Sequence, residues 1–385
     1  MTKRALIIGG SLGGLFTATI LRRIGWEVEV FERSPHALDS RGGGIVLQES
    51  VEQAFDFAGI ALDGTIGVPS GDRIYLDAED RVVRRWHMPQ MQTSWGLLYE
   101  ALRSAVPDRY VHAGRTLVDV EQDDHQVVAH FANGERASAD VLIAADGPGS
   151  TVRQLLLPES TIRYAGYVAW RGLVAEPALP SPMSDRLRET FAFQQGTRHL
   201  FLEYMVPGED RSCAPGERRW NWVWHFPVRS MEHLGRLLTD VHGVRHHFSI
   251  PPGLLSDTSA ADLHREALSQ LAPTFRALVQ ATPDPFLQAI VDVSVPQMVF
   301  GRVVLLGDAA SVLRPHTASG TAKAAADALA LGRLLDVGKG PSLFDALAVW
   351  EEDRLREAER LTQWGIQLGN SIVGTSGPSR ELVMP

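Results

Sequence analysis

The residues with the clearest chemical capacity stand near the start of the chain. Gly9-Gly10-Ser11-Leu12-Gly13-Gly14 leads, one helix and one strand later, to the acid Glu32. In such a turn the first glycine permits the tight bend and the last lets helix and strand pack closely, and the helix N-terminus offers free N–H groups to a pyrophosphate. Ser11 replaces the middle glycine; it still allows close backbone approach and can donate its hydroxyl to phosphate. Glu32 falls where a carboxylate would accept from ribose hydroxyls. Two more acids sit beside glycines, Asp146 before Gly147 and Asp308 after Gly307. The glycine motif alone does not separate FAD from NAD.

The elements needed to position these residues are legible. Ala5 to Ile8 is a short apolar run ending at Gly9, as expected of a strand buried on both faces of a parallel sheet. Leu12, Leu15, Phe16, Thr19 and Ile20 recur at helical spacing, and Arg22, Arg23 and Gly25 supply the cations and glycine that favour a helix end. Glu27 to Phe31 alternates into a second strand. Val141 to Ala145 and Val303 to Leu306 are further buried strands, each stopping at an acid beside a glycine.

Residues 166–284 have a different texture. Phe191 to Phe193, Leu200 to Tyr204 and Trp220 to Phe226 alternate between proline-rich turns, which predicts an antiparallel sheet. Tyr204, Asn221, Val223 and His225 share one side of it and Trp220, Trp222 and Trp224 the other; one side should roof a pocket, and alternation does not say which. Tyr204 and His225 are the candidates for contact with a substrate. A hairpin over residues 73–86 joins the same sheet, and Leu343 to Leu368 returns to helical spacing before a frayed tail from Gly374. The fold class expected is α/β: a βαβ Rossmann-like domain over 1–72, 90–165 and 285–335, an inserted antiparallel-sheet domain over 73–89 and 166–284, and C-terminal helices over 336–385.

Composition narrows the function. The 385 residues exceed the roughly 250–300 at which one core stops growing. A net charge of −9 leaves no basic face for a nucleic acid. The single Cys213 excludes an intrachain disulfide and a multi-cysteine metal site and fits a reducing compartment. The first apolar run is too short for a signal peptide or a membrane span, so a cytoplasmic protein with no membrane partner is expected. His242, His246 and His247 lack a carboxylate at ligand spacing, so no metal is expected. Glu351-Glu352-Asp353 with Arg354 and Arg356 reads as a helix exterior.

Taken together, these motifs resemble the single-component (group A) FAD-dependent aromatic hydroxylases, the family typified by para-hydroxybenzoate hydroxylase, and within it the dihydroxypyridine-hydroxylating branch. The resemblance covers nearly the whole chain. It rests on Gly9 to Gly14 with Glu32-Arg33, on Gly42-Gly43-Gly44-Ile45-Val46-Leu47-Gln48, and on Ala144-Ala145-Asp146-Gly147 with Ser150 and Arg153. It continues through Tyr164 to Gly172, then Gly307-Asp308-Ala309-Ala310, Arg314-Pro315-His316, Gly320, Lys323 and Asp327.

The resemblance implies FAD as cofactor, NADH or NADPH as electron donor, and O2. It implies hydroxylation of a small hydroxylated aromatic or N-heteroaromatic ring by way of a C4a-hydroperoxyflavin, in a family in which homodimers are expected. Gly9, Ser11, Leu12, Gly14, Glu32, Arg33, Gln48, Leu117, Asp146 and Asp308 would hold FAD, Asp308 at the ribityl chain. Ala318, Ser319, Gly320, Thr321 and Ala322 would turn N–H groups toward the flavin O2 and N1. Asp146-Gly147 matches a motif linked to FAD and to the nicotinamide donor. Pro315 would cover the flavin edge, with His316 as a proton relay because histidine titrates in the useful range. The chain departs from the family at Ser311, at Ala318-Ser319-Gly320, and at Trp95, which takes the place of an FAD-contacting arginine; the dihydroxypyridine branch shares several of these changes.

Three other readings compete with this one. Trp222-Val223-Trp224-His225-Phe226-Pro227 resembles the Trp-x-Trp-x-Ile-Pro signature of flavin-dependent halogenases, but their lysine late in the first quarter of the chain has no counterpart between Lys3 and Lys323. An NAD(P)-dependent dehydrogenase has no place for the Gly307-Asp308 block. A non-catalytic FAD-binding redox sensor is separated by whether the protein oxidises NAD(P)H with an aromatic.

Overall fold

The computed structural model describes residues 2–36, 38, 43–62, 66–336, 342–374 and 380–381. Gly42 of the second motif and most of the tail expected to fray lie outside the described residues.

The first apolar run forms β1 (Arg4–Ile8), buried at every position after Arg4. It turns at Gly9 into α1 (Leu12–Arg23), with Arg22 and Arg23 in the last turn, and β2 (Glu27–Glu32) returns parallel to β1 with Phe31 level with Ile8. After β3 (Gly44–Val46) and α2 (Glu49–Ala58) comes a long hairpin, β4 (Val68–Leu76) and β5 (Val82–Ser94). Its turn is closed by Asp77, which accepts from the backbone N–H of Glu79 and Arg81. The chain re-enters the first lobe through α3 (Trp95–Ala105), capped by the Ser94 hydroxyl, and β6 (Val111–Ala113). A separate meander follows, β7 (Leu117–Gln122), β8 (Val127–Phe131) and β9 (Arg136–Ala139), before the buried β10 (Val141–Ala144) and α4 (Thr151–Leu156).

The second lobe is built from β11 (Arg163–Ala175), α5 (Ser181–Leu187), β12 (Thr190–Gln195), β13 (Leu200–Val206), β14 (Arg219–Pro227), α6 (Met231–Leu237), β15 (Ser249–Ile250), α7 (Asp257–Gln270), α8 (Pro273–Gln280) and β16 (Phe286–Ser294). The chain then returns through β17 (Val299–Phe300), β18 (Val303–Leu305), β19 (Ser311–Val312), α9 (Gly320–Leu335) and α10 (Leu343–Val373), and β20 (Arg380–Glu381) pairs with the start of β11.

Six strands form the first sheet in the order β17-β18-β10-β1-β2-β6. The three expected apolar strands β1, β10 and β18 lie together at its centre, parallel and buried. The second sheet runs β15-β16-β11-β14-β13-β12-β4-β5-β3. It takes more chain than expected. The hairpin spans 68–94 rather than 73–86, with β4 parallel to β12, and β16 lies beside β11 rather than in the first lobe. β3, from the first lobe, closes the far edge on β5, so one sheet ties both lobes together.

Trp220, Trp222 and Trp224 face away from the first lobe. They are completely buried in a core shared with α7 and α8; Phe201 stacks between Trp222 and Phe275, and Trp222 Nε1 donates to Thr282 Oγ1 at 2.8 Å. Burying each such ring stabilises the lobe by roughly 3 kcal/mol. Tyr204, Val223, Tyr167, Phe191 and Phe193 form the opposite core, against Val46 and the end of α10.

α10 runs five residues beyond the expected Leu368 and ends on Gly374 in the left-handed conformation (φ 62°). Its acidic cluster is not simply a solvated exterior. Glu351 Oε1 accepts from Met298 and Val299 N–H, both at 2.7 Å, satisfying donors left open before β17, whereas Glu352 and Arg356 make the expected exterior i,i+4 pair. His246 Nε2 lies 2.8 Å from Asp240 and closes a turn. Among the described residues no cluster of three metal-ligating side chains occurs, and no helix is long and apolar enough to cross a membrane.

Candidate active site

A cleft opens at the carboxyl ends of β1, β2, β10 and β18, the place where open α/β sheets bind ligands. Gly9, Ser11, Leu12, Glu32, Arg33, Leu117, Asp146, Asp308, Gly320 and Thr321 line it, as does Trp95. Gly14 lies just beneath. Gln48, Ala318, Ser319 and Ala322 form the neighbouring turn instead: Gln48 Nε2 donates to the Ala318 carbonyl at 2.6 Å, and the Ala322 carbonyl accepts from Ser50 at 3.1 Å. Gly9 has φ +106°, and a Cβ there would lie 2.3 Å from the Ala145 carbonyl oxygen. Glu32 clamps the turn, accepting from Gly10 N–H through Oε2 and from Ser34 N–H through Oε1, each at 2.8 Å.

The floor is an ionic network. Lys323 Nζ donates to Asp327 Oδ2 at 2.7 Å and to the Gly307 carbonyl at 3.2 Å, while Gly307 N–H donates to the same Oδ2. Arg153 bridges the two acid turns by donating to the carbonyls of Pro148 and Ala309. Burial raises the Asp308 carboxyl above its ordinary range, a shift opposed by the Lys323 and Arg153 cations. Asp146 is raised by burial too.

The face of the second sheet turned away from α7 and α8 presents Tyr167, Arg171, Tyr204, Asn221 and His225, none of which lines the cleft itself. Asn221 Oδ1 holds Gly44 N–H at 2.7 Å. Tyr204 packs edge-on to Phe191, and burial pushes its hydroxyl up to about 12. Pro315 and His316 sit in a short turn just before Ala318. His316 Nε2 is 2.5 Å from Tyr167 Oη, and its ring meets His225 at 4.3 Å between centroids.

The expected proton relay needs correction. Burial, reinforced by the Arg314 and Arg171 cations, lowers His316 to about 3, so it stays neutral near pH 7 and does not titrate in the useful range. His225 is pushed well below its ordinary value by burial, and His199 to about 4. Sequence reasoning missed Arg171 as a site residue, although a charge between Trp170 and Gly172 on a buried strand was a usable signal. Tyr167 gave no such signal, since an aromatic there reads as core.

These histidines carry a pH prediction. Their folded values lie below the unfolded value near 6.5, so the stability they contribute is complete above that pH and declines on acidification as the unfolded chain alone takes up protons. Glu203, buried and raised well above its ordinary value, works in the opposite direction. Asp146 and Asp308, also raised by burial, act with Glu203. The His199 share, an uptake of up to about one proton on unfolding between pH 6.5 and 4, is a loss of roughly 1 kcal/mol per pH unit in urea unfolding. His199→Asn, whose Oδ1 can still accept from Trp224 Nε1, should flatten the slope; an unchanged slope would assign the protons elsewhere.

The cleft's open valences suit FAD. Asp146 Oδ1 is buried with no partner among the described residues. α1 and α9 both begin without a side-chain cap, leaving first-turn N–H groups for phosphate and for an acceptor edge. Ala318 adopts a left-handed conformation (φ 52°) that costs a non-glycine residue about 1 kcal/mol and turns the chain into α9.

Known proteins agree. A family profile described as FAD binding domain-like matches residues 164–292. 2,6-Dihydroxypyridine 3-monooxygenase of Paenarthrobacter nicotinovorans is 35% identical over 362 residues, 92% of this chain and 88% of that protein. 6-Hydroxynicotinate 3-monooxygenase of Pseudomonas fluorescens is 28% identical over 93% of this chain and 89% of its own. Among solved structures, 2,6-dihydroxypyridine-3-hydroxylase from Arthrobacter nicotinovorans superposes with a TM-score of 0.91 at 32% identity, covering 98% of this chain and 94% of that one. Nothing in these relatives supports the halogenase or redox-sensor readings, and Trp222 and Trp224 face away from the cleft. With identity at that level across almost its entire length, and a cleft whose unpaired groups suit the cofactor, the chain belongs to the single-component FAD-dependent aromatic hydroxylases.

Proposed function

We propose that this enzyme uses NADH or NADPH and O2 to hydroxylate a small, hydroxypyridine-like ring, with FAD held by the glycine turn, Glu32, Arg33, Gln48, Leu117, Asp146, Asp308 and the Ala318–Ala322 turn. Bound there, the flavin supplies the oxygen-transfer chemistry. The observation that carries the substrate class is the set of unpartnered polar atoms beneath the second sheet: Arg171 Nε, Asn221 Nδ2, His225 Nδ1 and His316 Nδ1 are all buried without a partner among the described residues. A buried polar atom left unsatisfied costs about 1–3 kcal/mol, so a bound molecule that satisfies several is favoured. One cation and an amide donor among neutral imidazoles suit a compact ring that carries acceptor oxygens or negative charge. The aromatic roof of Tyr204, Phe191 and Phe193, together with Pro315, would keep water from the reacting edge.

The division into an FAD lobe and a substrate lobe, a cytoplasmic location and a homodimer belong to the same reading; the lone cysteine supports a reducing compartment. The test is NAD(P)H consumption over a panel of phenols and hydroxypyridines, with mass analysis for one added oxygen atom. No oxygenated product across the panel, despite intact FAD, would sink the substrate claim. Glu32→Ala should weaken FAD binding about 10–100-fold through loss of its charge-assisted bonds, measured by titrating apoprotein; unchanged affinity would remove Glu32 from the site.

A further inference from the structure

Tyr167 of β11, the turn that carries both Arg314 and His316, and Gly369 of α10 are three segments distant in the chain that meet at one point. A β-carbon at Gly369 would lie 2.7 Å from Tyr167 Oη, 2.8 Å from Arg314 Nη1 and 3.0 Å from His316 Nε2. The point of convergence exists because the helix has no side chain there. Tyr167 Oη is 2.5 Å from His316 Nε2 and within hydrogen-bonding reach of Arg314.

Chemistry fixes the direction of these bonds. Arginine only donates, and Asp292 orients this one by accepting from Nε at 2.8 Å and from Nη2 at 2.6 Å. The Tyr167 hydroxyl therefore accepts from Arg314 and gives its single proton to His316 Nε2. A neutral imidazole that accepts at Nε2 carries its own proton on Nδ1. That Nδ1 is buried, has no partner among the described residues, and belongs to a ring packed on His225.

We propose that the Arg314–Tyr167–His316 chain of hydrogen bonds, seated against Gly369, locks His316 as an Nδ1–H donor to the substrate, so that the site selects rings presenting an acceptor oxygen, a ring carbonyl or an oxyanion, at that point. Arg314, Tyr167 and Gly369 are then positioning residues. The identity of the ligand rests on the hydroxypyridine reading; the tautomer does not.

Two measurements test this. In nitrogen NMR of holoenzyme labelled at histidine, the imidazole signals missing from His316→Asn should show a protonated Nδ1 and a bare Nε2 at neutral pH, and Tyr167→Phe should convert them to a mixture of tautomers. In titrations of oxidised holoenzyme with 2,6-dihydroxypyridine, followed by flavin absorbance, His316→Asn places its amide nitrogen where Nδ1 stood and should bind within about threefold of the parent. His316→Gln, which mimics Nε2 instead, should bind about tenfold more weakly, the worth of roughly one hydrogen bond, with FAD content unchanged in both. An Nε2–H tautomer in the parent enzyme, or equal binding by the two variants, overturns the proposal. If the parent enzyme fails to bind the probe, the hydroxypyridine reading falls while the tautomer measurement still decides this one.

Discussion

Gly14→Ala is expected to give protein that purifies without flavin colour, with FAD affinity reduced at least about 100-fold. The added Cβ would sit 1.9 Å from the Gly9 carbonyl oxygen and 3.2 Å from an Ile7 methyl. The first is backbone of the turn that must cradle the phosphates and the second a fully buried side chain of β1, so neither has room to swing aside. Interiors this densely packed transmit such a clash as displacement, so α1 must move off β1 by more than an ångström, carrying its N-terminal N–H groups with it. A misplacement of that size is enough to lose the charge-assisted bonds of a phosphate site, which contribute about 1.5–3 kcal/mol each. Gly134→Ala is the control. It sits in a turn of the β7–β9 meander at φ +84° with nothing within 4 Å of its Cβ, so it should cost about 1 kcal/mol of stability and keep its flavin. The readout is the ratio of flavin to protein absorbance after gel filtration; a yellow Gly14→Ala protein would mean that the helix is not held where the turn places it.

How much of this was legible in the sequence follows the range of the interactions involved. The βαβ unit is local: a buried strand, a glycine turn, an amphipathic helix and a returning strand each leave a signature within a few residues. The central strands β10 and β18 stand out as apolar runs, but their order beside β1 depends on pairing across more than a hundred residues, which no periodicity records. The same limit hid β16. Leu287, Ala289, Val291 and Val293 alternate there as they would in either sheet, and only the pairing with β11 assigns them. Alternation correctly split the tryptophans from Tyr204 and His225. It could not say which set faced the cleft, because that is decided by α7 and α8 covering the far side. His316 shows the limit most sharply. Its position is readable, whereas its protonation depends on burial and on Arg314 and Arg171, which the fold brings to it.

Asp327→Ala should destabilise the protein by about 3–5 kcal/mol, read as a fall in the urea unfolding free energy. The carboxylate is almost wholly buried and pairs with an equally buried Lys323 ammonium. Removing it leaves that charge without its close counter-ion and strips Gly307 N–H of its acceptor. The size of the loss does not show that the pair itself stabilises the fold. A buried ion pair replaced by apolar side chains of similar volume is often neutral, so Lys323→Met with Asp327→Leu should recover most of the stability. The double variant should nevertheless bind FAD about tenfold or more weakly, because Lys323 also fixes the Gly307 carbonyl and opposes the upward shift of Asp308. If the double variant is stable and binds FAD like the parent, the pair is packing alone. If stability returns and affinity does not, the ion pair beneath Gly307-Asp308 is retained to shape the turn that meets the cofactor, at little net gain to the fold.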